Sequence, residues 1–162
     1  MANELNIKNG IITTTISATT LSLSGSQIDT SWTSYVPVWS ATTSPVINNG
    51  TIEGYYKLIG KTCFVRGNIV MGTTTTYGTG EWLVGLPFPA KNPDGIQMIV
   101  SILQSTVAWY NGIMNGARAG FVDKTAIQYQ NTGGTTDSLS LNTPFVWGNG
   151  SRFTWNGSYE IA

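Results

Sequence analysis

The stretch that decides the fold is residues 51–71, TIEGYYKLIGKTCFVRGNIVM. It contains two runs rich in β-branched and aromatic residues, Thr51–Leu58 and Thr62–Met71, with Gly60-Lys61 between them. Such residues favour strands, and a glycine between two such runs supplies the backbone freedom that a tight turn needs. The pattern therefore predicts a β-hairpin whose two strands pair across Gly60-Lys61.

Strand and turn signals of the same kind fill the rest of the chain. Further strands are predicted at Trp32–Trp39, Glu81–Leu86, Gly95–Leu103, Thr106–Tyr110, Gly120–Val122, Thr125–Gln130, Phe145–Trp147 and Ser151–Ile161. Tight turns are predicted at Asn49-Gly50, Asp94-Gly95, Asn111-Gly112, Asn115-Gly116 and Asn149-Gly150, because these dipeptides adopt positive φ angles readily.

Two further positions qualify the strands in which they lie. Asn156-Gly157 is either a turn or a bulge within the last strand, and Pro37 indicates an edge or a bulge, since proline cannot donate to a ladder. No window has the apolar spacing and caps of a helix. Short strands at this spacing predict an all-β protein, an antiparallel β-sandwich or jelly roll.

The charge content of the chain is low and balanced. Charged residues make up 10% of the sequence, and eight acidic residues offset eight basic ones. This composition predicts no nucleic-acid partner, because balanced charge produces no long-range field that would attract one. No run approaches the roughly 18 apolar residues of a membrane span, so membrane insertion is not expected. The first residues lack the features of a secretory signal, so we expect the chain to be made in a cytoplasm.

Cys63 is the single cysteine of the chain, which excludes an intrachain disulfide. Its apolar neighbours Phe64 and Val65 predict a buried, unreactive thiol. An interchain bridge across a symmetry axis is the alternative.

The first 29 residues differ in composition from the remainder. Residues 1–26 contain no aromatic side chain, whereas every Trp, Tyr and Phe falls later. We expect residues 1–29 to form a short extended β arm and residues 30–162 to form a β-sandwich head. The apolar side chains expected to attach the arm and to intertwine with other copies are Leu5, Ile7, Ile12, Ile16, Leu21 and Leu23. Burial of these few apolar side chains within one chain cannot offset the entropy cost of ordering the arm. The arm therefore either pairs with other chains or remains a loose tail.

Side chains with catalytic or metal-binding chemistry are sparse. There is no histidine, which excludes a Ser-His-Asp triad and a His-bound metal. The acidic residues form no short cluster, and Asp123 and Asp137 stand alone. We therefore predict no catalytic residue, no metal and no cofactor. A glycoside hydrolase would need two facing carboxylates, for which Glu53 and Glu81 are the candidates.

Two polar stretches are candidates for contact with a receptor, since binding residues favour loops on a rigid scaffold. The first, residues 73–80, offers Thr75, Thr76 and Tyr77, of which Tyr77 is the aromatic side chain most expected to be exposed. The second, residues 131–138, offers Asn131, Thr135 and Asp137. Solvated loops without a function have the same composition. Most of the Trp and Tyr side chains are expected to pack in the core or in an interface, and a sugar-stacking platform is the alternative.

Four motifs occur in a familiar order between residues 30 and 90. They are WTSYVPVW at 32–39, GTIEGYYKLIGK at 50–61, IVMG at 69–72 and LPFPA at 86–90. This order resembles the C-terminal domains of tailed-bacteriophage fibre, tail and head-decoration proteins, and NIKNGII at 6–12 resembles the start of their particle-attachment segments. The resemblance implies a β-sandwich that commonly trimerises and is displayed on a virion. It carries no catalytic residue across.

Three functions remain open from the sequence. The leading hypothesis is a homotrimeric head-fibre or tail-fibre subunit that projects from the capsid or tail, contacts other virion proteins and leaves room for weak, multivalent contact with host surface glycans. The alternative is a free, lectin-like carbohydrate-binding module. The third is a cell-wall or capsule hydrolase.

Overall fold

The computed structural model describes residues 21–23, 26–28, 31–131 and 133–162. This part of the chain holds twelve strands, one short α-helix and one 3-10 turn. The strands are β1 (Leu21–Leu23), β2 (Ser26–Ile28), β3 (Thr33–Tyr35), β4 (Trp39–Ser40), β5 (Thr51–Ile59), β6 (Thr62–Val70), β7 (Leu83–Gly85), β8 (Gln97–Gln104), β9 (Ala108–Asn115), β10 (Lys124–Gln130), β11 (Thr136–Ser138) and β12 (Arg152–Glu160). The helix α1 is Gly116–Ala119, and the 3-10 turn is Pro93–Gly95.

The strands join in a single sheet in the order β1-β2-β5-β6-β12-β8-β9-β10-β7-β4, with β3 on β5 and β11 on β10. Every pairing is antiparallel, which confirms the prediction of an all-β, antiparallel fold. Only residues 36–38 separate β3 from β4, yet these strands pair near opposite ends of the order. The sheet is therefore curled into a sandwich-like half-barrel, with one face directed inward and the other outward.

The predicted hairpin at residues 51–71 is confirmed. β5 and β6 pair along their whole length, from Thr51 opposite Val70 to Ile59 opposite Thr62. Gly60 makes the turn with a φ of 59°, a left-handed conformation that glycine adopts without steric cost. The predicted turns at Asn49-Gly50 and Asn149-Gly150 also lie between strands.

Three of the predicted strands are corrected by the structure. Trp32–Trp39 is split at Pro37, which leaves β3 on β5 and β4 on β7. Gly120–Val122 is irregular, because Gly120 caps α1 with a φ of 69°. Phe145–Trp147 is irregular as well. Ring packing fixes it instead, since the Trp147 ring lies 4.6 Å from the Phe145 ring and its Nε1 donates to the carbonyl of Ser140 at 3.0 Å.

Three Asn-Gly dipeptides do not make the predicted turns. Asn111-Gly112 lies inside β9 and Asn156-Gly157 inside β12, which keeps an unbroken register with β6 and so has no bulge there. A Cβ on Gly112 would lie 2.3 Å from the carbonyl oxygen of Gln128, and one on Gly157 would lie 2.6 Å from Met98 Cγ. These glycines therefore allow close approach rather than a turn. Asn115-Gly116 starts α1, because Asn115 Oδ1 accepts from the Arg118 backbone N–H at 3.2 Å.

The inner face of the sheet encloses a core rich in aromatic rings. Trp82 is fully buried at its centre and meets Trp39 and Trp147, each with ring centroids 4.8 Å away, and Phe153 at 6.1 Å. Cys63 is also fully buried, and burial raises the pKa of its thiol. The prediction of a buried cysteine is confirmed, and most tryptophans pack in the core as expected.

Candidate functional site

The two ends of the curled sheet are chemically different. At the arm end, β2 joins the sheet through Ile28 opposite Ile59, beside the Gly60-Lys61 turn and the last residues of the chain. At the loop end, β5, β9 and β12 begin and β6, β8 and β10 end. Both predicted receptor loops leave the sheet at the loop end, one after β6 and the other after β10. The register of the strands thus places the two stretches at one end, separated across the sheet by β12, β8 and β9.

The Thr-rich loop is held in shape by the turn at Asn48-Asn49. The Asn49 Oδ1 atom accepts from both the backbone N–H of Thr74, at 2.9 Å, and its hydroxyl, at 2.8 Å, while Asn49 Nδ2 donates to Thr73 Oγ1 at 2.7 Å. Backbone hydrogen bonds of 2.9 Å join Thr76 to Val46 in both directions. These contacts link residues about 25 positions apart. They therefore hold the loop against the segment that precedes β5.

The three candidates of this loop differ in exposure. Thr76 is exposed, but Thr75 is buried, and its hydroxyl donates to the Ile47 carbonyl at 2.6 Å and accepts from Gly72 N–H at 2.9 Å. Tyr77 is half-buried and stacks on Trp82, with centroids 6.3 Å apart. The expectation that Tyr77 is the most exposed aromatic is therefore wrong, because its ring extends the aromatic core.

The second stretch is a hairpin organised by Asn131. Residues 136–138 form β11 on β10, so only the first part of the predicted loop 131–138 is a loop. Asn131 Nδ2 donates to Thr135 Oγ1 at 2.6 Å and to Asp137 Oδ2 at 2.8 Å, and its Oδ1 accepts from the Gly133 N–H at 2.9 Å. The structure brings the three candidates Asn131, Thr135 and Asp137 together in one hydrogen-bonded group. Partial burial and the Asp137 carboxylate raise the pKa of the neighbouring Tyr129 phenol.

One exposed aromatic side chain lies at the loop end between the two candidate loops. Trp109 follows the three-residue β8–β9 connection and is 63% exposed, beside Val107, which is 77% exposed. The Arg152 guanidinium carbon lies 5.7 Å from the centre of the Trp109 ring. The sequence identifies Trp109 as one of several aromatic candidates but does not predict that its ring is exposed. Four other tryptophans are buried, namely Trp39, Trp82, Trp147 and Trp155.

The carboxylates that a hydrolase would need serve structural contacts. Glu53 Oε2, on β5, accepts from Asn68 Nδ2 at 3.2 Å. Glu81, before β7, pairs with Arg118 Nε at 3.0 Å and accepts from the hydroxyl of Ser138. Within the described residues, no three acidic or cysteine side chains converge as a metal site would require. None of the helices described is long and apolar enough to cross a membrane.

Arm residues fall partly within the described structure. Leu21 and Leu23 lie in β1, which pairs with β2. Leu5, Ile7, Ile12 and Ile16 lie outside the described residues.

The sequence is similar to one curated protein of phage origin. Over 116 residues, 71% of the chain, it is 31% identical to the Mu-like prophage FluMu defective tail fiber protein of Haemophilus influenzae. The match covers 18% of that protein, so the chain spans less than a fifth of its relative's length. No family model matches the chain, and no solved structure matches it. The chain is thus an all-β protein that resembles part of a phage tail fibre protein.

Proposed function

We propose that this chain is a structural subunit of a bacteriophage fibre or spike, built into the virion as a homotrimer and projecting from the capsid or the tail. The observation that carries the proposal is the 31% identity to a prophage tail fibre protein over 71% of the chain. Residues 1–29 attach the subunit and intertwine with the other two copies, and residues 30–162 form the projecting head. Other virion proteins are its partners at the attachment side.

The arm and the polar loops lie at opposite ends of the sheet, which supports attachment at one end and projection of the other. β1 and β2 enter at Ile59, whereas the polar loops after β6 and β10 leave at the other end. A subunit anchored through its N-terminal arm then presents the loop end outward. Copies of a chain with only 10% charged residues also pack together with little mutual repulsion.

The loop end suits weak contact with host surface glycans. The exposed Thr76 hydroxyl and the group around Asn131 supply hydrogen-bonding atoms, and Trp109 supplies an exposed ring face. Three copies on one trimer raise the effective concentration of a weak site. The role is adhesive and not enzymatic, in keeping with the structural contacts that occupy Glu53 and Glu81.

Solution mass measured by light scattering tests the proposal. The full chain is expected to have three times the monomer mass of 17.4 kDa. If the arm holds the trimer together, a chain shortened to begin at Gln27 is expected to be monomeric. A shortened chain that is still trimeric would show that the contacts between copies lie in the head. A monomer in both cases overturns the fibre proposal.

A free carbohydrate-binding module is the second candidate, and the exposed Trp109 favours it. This function predicts a monomer or dimer with measurable glycan affinity that Trp109→Ala removes. The mass of the full chain separates it from the fibre subunit.

A further inference from the structure

A second cluster, of exposed and half-buried side chains, lies on the outer face of the sheet, away from the loop end. It comprises Trp32, just before β3, Tyr55 and Lys57 on β5, and Arg66 on β6. Tyr55 and Arg66 are direct partners in the β5–β6 register, so their side chains share one face of the sheet. We call this group the cation–aromatic cluster.

The guanidinium of Arg66 is held between two rings. Its Cζ atom lies 4.5 Å from the centre of the Trp32 ring and 5.3 Å from that of the Tyr55 ring. Lys57 Nζ lies 5.6 Å from the same Trp32 ring. Stacking on aromatic faces orders the guanidinium but leaves its N–H donors free at the edge, where they can bind an anion.

Within the described part of the chain, neither cation of the cluster is paired with an acidic side chain. Among the residues that the structure describes, ion pairs join Lys91 to Glu160 and Arg118 to Glu81, and none involves Lys57 or Arg66. Glu53, on the same strand as Tyr55, accepts from Asn68 instead. Two like charges beside one ring repel each other, and a bound anion would remove that repulsion.

An open groove runs from the cluster across three strands. It has a volume of about 360 Å³ and is lined by Tyr55 of β5, Arg66, Gly67 and Asn68 of β6, and Thr154, Trp155 and Asn156 of β12. Asn156 is exposed and stands opposite Arg66 in the β6–β12 register. A cation, an aromatic face and a carboxamide in one shallow groove match the chemistry of an acidic sugar: an anion, an apolar ring face and hydroxyl groups.

We propose that this groove binds an acidic saccharide, with Arg66 and Lys57 contacting its carboxylate or phosphate and Tyr55 and Asn156 contacting the ring and hydroxyls. The proposal rests on the proposed contact with host surface glycans and names the class of glycan and a site apart from the loop end. The side wall of the head, rather than its tip alone, is then an adhesive surface.

Titration of the full chain with three soluble probes tests the groove. Trigalacturonate carries carboxylates, mannose 6-phosphate carries a phosphate and maltotriose is neutral. We expect trigalacturonate or mannose 6-phosphate, but not maltotriose, to bind in calorimetry and to shift the amide resonances of β5, β6 and β12. Preference between the two acidic probes identifies the anion. Binding should weaken as salt is raised to about 0.5 M, because the contact is ionic.

Charge-neutral variants identify the residues. Arg66→Gln and, separately, Lys57→Gln should each weaken binding of the acidic probe by about tenfold, as expected for the loss of a charged hydrogen bond. Lys124→Gln is the matched control, because Lys124 also lies over an exposed ring, 5.1 Å from Phe121, but on β10. It should bind like the unmodified chain.

Three results would overturn the proposal. Arg66→Gln could bind the acidic probe as tightly as the unmodified chain does, or Lys124→Gln could lose as much affinity as Arg66→Gln. The third result is that neither acidic probe binds the unmodified chain. Light scattering on the same samples reports the trimer separately. A trimer that does not bind the acidic probes refutes saccharide binding in the groove but leaves the fibre proposal standing. A monomer that binds them supports the groove and refutes the fibre proposal.

Discussion

The side chain of Asn49 accepts two hydrogen bonds from Thr74, one from its backbone N–H and one from its hydroxyl, across 25 positions of sequence. This contact joins the turn before β5 to the loop after β6, so two connections at the loop end form one layer. A Cβ on Gly72 would lie 2.2 Å from Asn49 Oδ1, which shows how closely the two segments approach.

Asn49→Ala should lower the free energy of unfolding by about 1–2 kcal/mol, because it leaves Thr73 and Thr74 without their shared partner at a partly solvated site. Urea unfolding followed by tryptophan fluorescence measures the change. Asn111→Ala, at an exposed position of β9, is the matched control and should change the free energy by less than about 0.5 kcal/mol. Equal values for the two variants would show that the Asn49 contact does not order the loop.

Trp82→Ala should cost about 3–5 kcal/mol, since it empties the centre of the aromatic core, where Trp82 contacts Trp39, Trp147 and Phe153. Trp109→Ala removes a ring that is 63% exposed and should be close to neutral. Thermal unfolding of the two variants compares them directly. A similar loss in both would mean that Trp109 is covered, as in an interface between copies.

Cys63 should resist modification by a thiol reagent in the folded protein, because its side chain is fully buried and burial raises the pKa of the thiol. The same reagent should modify one thiol per chain in denaturant. Reactivity measured before and after unfolding checks this. A covalent dimer on non-reducing electrophoresis would instead support the interchain bridge.

Alkaline pH should destabilise the fold through Tyr159. Its hydroxyl is buried and donates to the Phe88 carbonyl at 2.9 Å, and burial raises the phenol's pKa well above its usual range. The phenol of the unfolded chain ionises near pH 10, so above that pH the unfolded state has lost a proton that the folded state keeps. The free energy of unfolding should therefore fall as pH rises, by about 1.4 kcal/mol per pH unit for this group.

Urea unfolding at about pH 8 and pH 11 measures that slope. Tyr159→Phe should make it shallower by about one proton. An identical slope in Tyr159→Phe would show that other groups cause the alkaline loss.

The sequence predicted best where the deciding interactions are local. The hairpin across Gly60-Lys61 follows from two strand-forming runs and a glycine, all within 21 residues. Dipeptides of the same type failed at Asn111-Gly112 and Asn156-Gly157, because the reason for glycine there is a neighbouring strand. Phe145–Trp147 failed similarly, since its aromatic residues pack on the rings of Tyr110 and Trp82, which are distant in sequence.

The candidate sites divide in the same way. Polar composition predicted the stretches that contain Thr76, Asn131 and Thr135, and the structure places both at one end of the sheet. Whether a side chain in such a stretch is exposed depends on what packs below it, which is why Tyr77 was misplaced. The cation–aromatic cluster could not be predicted, since Trp32 and Arg66 are 34 positions apart and meet only because β3 and β6 flank β5.

By itself the sequence determined the all-β class, most of the strands and a core of tryptophans, because strand propensity, turn chemistry and hydrophobicity act over short stretches of chain. Only the tertiary structure decided how the sheet closes at Pro37, which glycines turn the chain and which aromatic rings remain in solvent. These features depend on register and packing between strands that are distant in sequence, and no local pattern encodes them.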